Sequence, residues 1–167
     1  VDCRVTLKVG KENDSRTFYL MDKDHSTHSS PLSSYNPSTK NVWEESWSVS
    51  LTGGTWYAIT GSGSKCYIAS MQFVANPTFS ESAGAELAQN EGTVTLTASG
   101  TTIYYKWSTS SSAYSADAGS SLVSAADGNG SSPKTVTAPD GTGTYYLYAV
   151  AKRGNYYSDV VKRNYTI

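Results

Sequence analysis

Residues 47–60 read Trp47-Ser48-Val49-Ser50-Leu51-Thr52-Gly53-Gly54-Thr55-Trp56-Tyr57-Ala58-Ile59-Thr60. Trp47, Val49 and Leu51 share one parity, and serines fill the other. A period of two places the apolar side chains on one face of a pleated strand, which predicts a half-buried strand over 43–51. Thr52-Gly53-Gly54 is a turn signal, and a strand over 55–60 follows it. Trp56 beside Tyr57 must split the two faces of that strand, so one of the two rings is expected in water.

The same unit, alternating strand then polar or glycine turn, recurs in both directions. Over 2–10, Val5, Leu7 and Val9 alternate with Arg4, Thr6 and Lys8. A polar turn through Lys11, Glu12, Asn13 and Asp14 leads to a second strand over 16–21, and residues 22–40 form a long polar loop holding Pro31 and Pro37. Gly61-Ser62-Gly63-Ser64 turns the chain into a strand over 65–74, and Asn76-Pro77 ends the pattern. Further strands are predicted over 92–98, 102–108, 134–138, 143–151 and 160–167. A Ser-, Gly-, Ala- and Asp-rich loop with one short strand fills 110–133. No segment keeps a 3.6-residue period for three turns; 82–89 is at most one helical turn. Strands at this spacing predict an all-β chain built as β-sandwiches.

Composition agrees. Charged residues are 16% of the 167-residue chain, and its formal net charge is -1. That balance lacks the basic stripe that phosphate neutralisation requires, and it excludes nucleic acid and anionic membrane surfaces as expected partners. Aromatics reach 12%, as 13 Tyr and 4 Trp against 3 Phe. Tyr and Trp pair an apolar ring with a polar handle and are favoured where a surface meets a partner in water. Cys3 and Cys66 lie on the first and last strands of the N-terminal half, where terminal strands of a sandwich often run side by side; a disulfide and two free thiols are both open. The chain opens directly on strand-like sequence, which reads as a piece of a larger secreted or surface protein.

Two resemblances refine this. The runs Gly92-Thr93-Val94-Thr95-Leu96-Thr97, Thr102-Ile103-Tyr104-Tyr105, Tyr146-Leu147-Tyr148-Ala149-Val150-Ala151 and Gly154-Asn155-Tyr156-Tyr157-Ser158 resemble the immunoglobulin- or fibronectin-like C-terminal module of chitobiases and other bacterial glycan-degrading enzymes. The family's short Asp-Gly-Ser loop is replaced here by Lys106-Trp107-Ser108-Thr109 and a longer Ser/Ala stretch. The strands Arg16-Thr17-Phe18-Tyr19-Leu20, Ser48–Tyr57 and Gly61–Phe73 are similar to the C-terminal half of jelly-roll carbohydrate-binding modules of gut and rumen bacterial enzymes. The resemblances imply a partial jelly-roll-like module over 1–76, a linker over 77–91 and an immunoglobulin/fibronectin-like sandwich over 92–167. They also imply a bacterial, secreted, non-catalytic module that binds plant cell-wall polysaccharide such as xylan or a pectic glycan. The alternative is a structural or adhesive spacer. A jelly roll uses eight strands, and about five are legible in 1–76, so three readings stay open: a truncated module with an exposed edge, one sandwich shared by the two halves, or strand exchange or completion by another chain segment.

The candidate ligand residues are Trp43, Glu45, Trp56, Tyr57 and Trp107. A sugar offers a flat C–H face ringed by hydroxyls; a ring stacks on the face, worth roughly 1 kcal/mol per contact, and carboxylates and amides take the hydroxyls. Trp43 precedes Glu44 and Glu45, whereas Trp47 follows the core parity. Asp22, Asp24, His25 and His28 form Asp-x-Asp-His-x-x-His, in which Asp22 and Asp24 carry the hard oxygens a structural Ca2+ takes, although the closing Glu and the turn Gly of a calcium loop are absent. The expected cofactor set is otherwise none. No catalytic residue is predicted: Glu44 and Glu45 are neighbours in a strand and point to opposite faces, not across a cleft as glycoside hydrolysis needs.

Overall fold

The computed structural model describes residues 1–63 and 65–167; Ser64, the last residue of the expected turn, lies outside the described residues. Strands take 49% of the chain and helix 4%, so the all-β expectation holds. The chain divides into two compact units, Val1–Phe73 and Val74–Ile167.

The first unit carries β1 (Cys3–Lys11), β2 (Phe18–Met21), β3 (Ser26–Thr27), β4 (Ser30–Pro31), β5 (Ser33–Tyr35), β6 (Glu45–Leu51), β7 (Ala58–Gly61) and β8 (Cys66–Ala75). One sheet has the order β6-β1-β8 and a second the order β5-β2-β7, while β3 and β4 form a small hairpin. The antiparallel register sets Val5 opposite Val49 and Leu7 opposite Trp47. These side chains and Val9 meet Phe18 and Leu20 of the other sheet in one buried cluster. Trp47 is 5% exposed, as its parity with Val49 requires.

The second unit carries β9 (Thr78–Phe79), β10 (Thr93–Thr97), β11 (Thr102–Ser108), a short helix α1 (Gly119–Ala125), β12 (Gly128–Ser131), β13 (Lys134–Thr137), β14 (Thr144–Arg153), β15 (Tyr156–Tyr157) and β16 (Val161–Thr166). A β13-β10-β9 sheet faces a five-stranded sheet in which β14 lies between β11 and its partners β15 and β16. Val94, Leu96, Ile103, Val136 and Leu147 fill the space between them. The segment expected as a linker over 77–91 is drawn into this sandwich. Phe79 pairs with Leu96, and Leu87 N–H donates to the Thr166 carbonyl. The Ser-rich stretch expected as loop folds over the outer face of the larger sheet instead. There Leu122 of α1 is buried with Tyr148, Val150 and Val160 as a second core. Residues 82–89 form turns and no helix.

Cys3 and Cys66 are not joined in a disulfide. Glu12 N–H donates to the carbonyl of Lys65, the neighbour of Cys66. Cys3 is at the far end of β1, and at about 3.3 Å per residue this places the two roughly 30 Å apart. A disulfide needs Cα atoms within about 7 Å, so the open question of Cys3–Cys66 pairing closes on two thiols.

Candidate functional site

The most developed surface site is on the outer face of the β6-β1-β8 sheet. On β1, Val5, Leu7 and Val9 face the core, so Gly10 faces out. The chain arriving at β6 crosses directly above it. A Cβ at Gly10 would stand 2.5 Å from Trp43 Cε3 and 2.7 Å from the Val42 carbonyl oxygen, so only glycine lets the indole lie on the strand. From there Trp43 reaches Tyr67 of β8, with ring centroids 5.1 Å apart at 88°. Trp43 is 39% exposed and Tyr67 43%.

Polar groups frame the pair. Tyr67 Oη donates to Glu12 Oε1 at 3.0 Å, and Lys65 Nζ lies 2.8 Å from Glu12 Oε2. The Lys65 ammonium, and after it the Tyr67 hydroxyl, hold the Glu12 carboxyl below its usual range. The same carboxylate pushes the Tyr67 phenol and the Lys65 ammonium up. On the other side, Lys8 Nζ donates to the Glu44 carbonyl at 3.2 Å. The result is a right-angled corner of two rings with an anion, a cation and a phenol beside it. That supplies both an apolar face and paired donors and acceptors.

The other expected ligand residues fall elsewhere. Glu45 holds the loop after β5: its carboxylate accepts from Ser38 N–H at 2.6 Å, Thr39 N–H at 2.7 Å and Tyr35 Oη at 3.0 Å. The Ser38 and Thr39 amides depress its pKa. Glu45 therefore ties the 38–39 backbone and Tyr35 to the start of β6, and among the described residues it makes no hydrogen bond to Trp43 or Tyr67. Tyr57 is partly buried against the core, and its hydroxyl accepts from Thr52 N–H at 2.8 Å, fastening the glycine turn. Trp56 is the more exposed of that couplet at 55%. It sits at the Cys3 end of the β1–β6 pair, because Leu51 is opposite Cys3, and it does not join the Trp43 corner. Trp107 caps the second unit's core: Nε1–H donates to the Thr137 carbonyl at 3.1 Å, and the indole meets Tyr165 edge-on at 5.8 Å.

Asp22 and Asp24 bond within their own turn. Asp22 Oδ1 accepts from the Asp24 and His25 amides at 2.9 and 2.8 Å and lies 2.9 Å from His25 Nδ1. Asp24 pairs with Lys23, and His28 stacks on Tyr19 with centroids 4.4 Å apart. Among the described residues no three His, Cys, Asp or Glu side chains converge. The cluster is a capped turn. Tyr67 and Glu12, the residues that complete the Trp43 corner, were not among the expected contacts. The available hint was Gly10, a glycine breaking the outward parity of β1.

No helix among the described residues is long and apolar enough to cross a membrane. No family model matches the chain, and no curated protein matches it significantly.

Proposed function

We propose that this protein is a non-catalytic polysaccharide-binding module that acts through the Trp43–Tyr67 corner. The observation that carries the reading is an exposed pair of rings, set at right angles on a glycine strand, with Glu12, Lys65 and the Tyr67 hydroxyl at its edge. A solvent-facing indole costs a protein apolar exposure without adding stability. A sugar ring with its C–H face on one aromatic and its hydroxyls on the Glu12–Lys65 pair uses every group present. The ligand class that fits is a neutral or weakly charged glycan, because Glu12 and Lys65 cancel. Plant cell-wall polysaccharide such as xylan or a pectic glycan follows from the family resemblance, as does a setting in a secreted bacterial enzyme. There the module would raise the local concentration of a tethered catalytic domain on its substrate.

Affinity electrophoresis in gels containing soluble arabinoxylan or a neutral pectic side-chain glycan such as arabinan or galactan tests this. Trp43→Ala and Tyr67→Ala should each weaken retardation by about fivefold or more, with an unchanged melting temperature, since one stacking contact is worth roughly 1–3 kcal/mol. Gly10→Ala should weaken it too, by lifting the indole. Wild-type retardation in all three variants, or no retardation of the parent by any polysaccharide of a broad panel, would replace the binding reading with a spacer role.

A further inference from the structure

The second unit carries a polar row that its own fold leaves unused. β12, β11, β14 and β15 lie side by side. Their antiparallel register sets Ser131 opposite Thr102, Thr102 opposite Lys152, and Lys152 opposite Tyr157. Residues opposite one another in a ladder share a face. Ile103 and Ala151, the chain neighbours of Thr102 and Lys152, are buried between the two sheets, so the row Ser131-Thr102-Lys152-Tyr157 is on the outer face. At about 4.8 Å per strand it is roughly 14 Å long. The start of α1 abuts its Tyr157 end: a Cβ at Gly119 would stand 2.9 Å from the tyrosine Cβ.

A cavity of about 390 Å³ is lined by Ser131, Thr102 and Lys152 of this row, together with Thr101, Ser132 and Arg153, and no carboxylate lines it. Part of the lining is tied by its own bonds. Thr101 Oγ1 donates to the Ala98 carbonyl at 2.6 Å, and Ser132 Oγ accepts from the Ala98 N–H at 2.8 Å. Arg153 Nε and Nη2 donate to the Gly100 and Ser99 carbonyls at 3.3 and 3.0 Å. Those acceptors are neutral, so they orient the guanidinium without cancelling its charge. Thr102 and Ser131 differ: among the described residues neither hydroxyl has a hydrogen-bond partner. Lys152 is half-buried, and its ammonium lies 5.8 Å from the centroid of the Tyr157 ring. Among the described residues it makes no ion pair. A cation partly withdrawn from water, without a counter-charge, favours an anion beside it.

We propose that this cavity binds a sugar carboxylate, a uronate residue of an acidic glycan, with the carboxylate on Lys152 and the ring hydroxyls on Thr102 and Ser131. The charge fits a monoanion: Lys152 is the ammonium in the row, and Arg153 adds a positive field from the rim. The two unused hydroxyls both donate and accept, as a polyhydroxylated ring requires. A phosphate or sulfate group fits less well. Such groups are held by a guanidinium fork or by several converging backbone amides, whereas here two nitrogens of the Arg153 fork are turned to carbonyls, and the Ser132 amide already donates to the Thr101 carbonyl. This site is in the second unit and shares no residue with the Trp43–Tyr67 corner, so it stands whether or not that corner binds a glycan.

Amide chemical-shift titration of the 167-residue chain is the test, with a galacturonate trimer and a glucuronate-bearing xylan fragment as probes. At least one of them should shift the amides of residues 102, 131 and 152. Lys152→Gln should weaken that binding by about tenfold or more, and Thr102→Val by about threefold, as loss of a charged and of a neutral hydrogen bond predict. The methyl ester of the same oligosaccharide should bind the parent as weakly as the acid binds Lys152→Gln, a comparison that holds even if the variant is destabilised. Trp43→Ala should leave all of this unchanged. Four results would each overturn the proposal: no shift at 102, 131 and 152 with either uronate; equal affinity for acid and methyl ester; inorganic phosphate or sulfate binding there as tightly as the uronate; or uronate binding that Trp43→Ala abolishes and Lys152→Gln does not.

Discussion

Trp107 and Trp43 both stand near the end of a strand, each beside a charged residue, yet the two units use them in opposite ways. In the second unit the indole N–H is bound to the Thr137 carbonyl, and Tyr145 and Tyr165 meet its ring, so it closes a core. In the first unit Trp43 lies on Gly10 with one aromatic neighbour and stays 39% exposed. The contrast extends to whole sheets. The outer face of the second unit's larger sheet is covered by α1 and its own buried Leu122, whereas in the first unit β8 leaves Tyr67, Ile68, Met71 and Phe73 in water. Aromatic content alone therefore does not mark a binding face; the decisive feature is whether a ring's polar edge and open face are already used by the fold.

The comparison breaks most sharply at Trp47 and Trp107. If both are core tryptophans, alanine at Trp47 should destabilise the first unit by roughly 3–5 kcal/mol. Trp107→Ala should cost the second unit about 3 kcal/mol, near the lower end of the same range, because its indole is only partly buried. Amide exchange read separately over β1–β6 and over β10–β14 would measure each loss. Trp43→Ala, by contrast, should leave the β1–β6 amides where they are. Equal destabilisation by Trp43→Ala and Trp47→Ala would erase the distinction between platform and core.

A smaller effect is expected from the lid of the second unit. Helix α1 has seven residues, no side-chain cap, no acid in its first turn and no base in its last. So short a helix does not persist alone in water, and its order rests on Leu122 packed against Tyr148, Val150 and Val160. Leu122→Ala should cost about 2–5 kcal/mol and release residues 119–125 to fast exchange. Retained protection there would mean that the backbone, and not this side chain, holds the lid.

These cases also show what could be read from the chain. Trp47 was legible because a period of two ties it to Val49 and Leu51, and burial follows parity once one sheet face is covered. The Trp43–Tyr67 corner was not, because the two rings are on different strands and meet only across Gly10, a contact between elements that no local spacing encodes. The structural bonds of Glu45 were not legible for a related reason. A strand position does not say that the backbone of Ser38 and Thr39 will return to take its oxygens. Residues 119–125 hid a helix since Gly119-Ser120-Ser121 has no helical preference, and one buried leucine against a tyrosine-rich sheet overrides that weakness. The all-β class needed only alternation and turns, which are local.

The mildest prediction concerns acid and the loop after β5. Glu45 has a lowered pKa in the folded chain because the Ser38 and Thr39 amides, and after them the Tyr35 hydroxyl, bond to the ionised carboxylate. The folded chain therefore holds that proton less tightly than the unfolded chain does. The contribution is fully present above the ordinary glutamate range, around 4.3, and is lost as pH falls through the lower folded value. Glu12 shares this direction through Lys65 and Tyr67, so acid should loosen the loop behind Trp43 and the frame of the aromatic corner together. Both carboxylates are solvent-accessible, which keeps the effect on overall stability small. Amide exchange of Ser38 and Thr39 should accelerate as the pH drops below that range, while the Val5 and Leu7 amides do not follow. Glu45→Ala should show the accelerated exchange at neutral pH, with a melting temperature within about 2 °C of the parent. If Ser38 and Thr39 in Glu45→Ala exchange as slowly as in the parent, the loop after β5 is held by the Tyr35–Trp47 stack and the Lys11–Asn36 bond without the carboxylate.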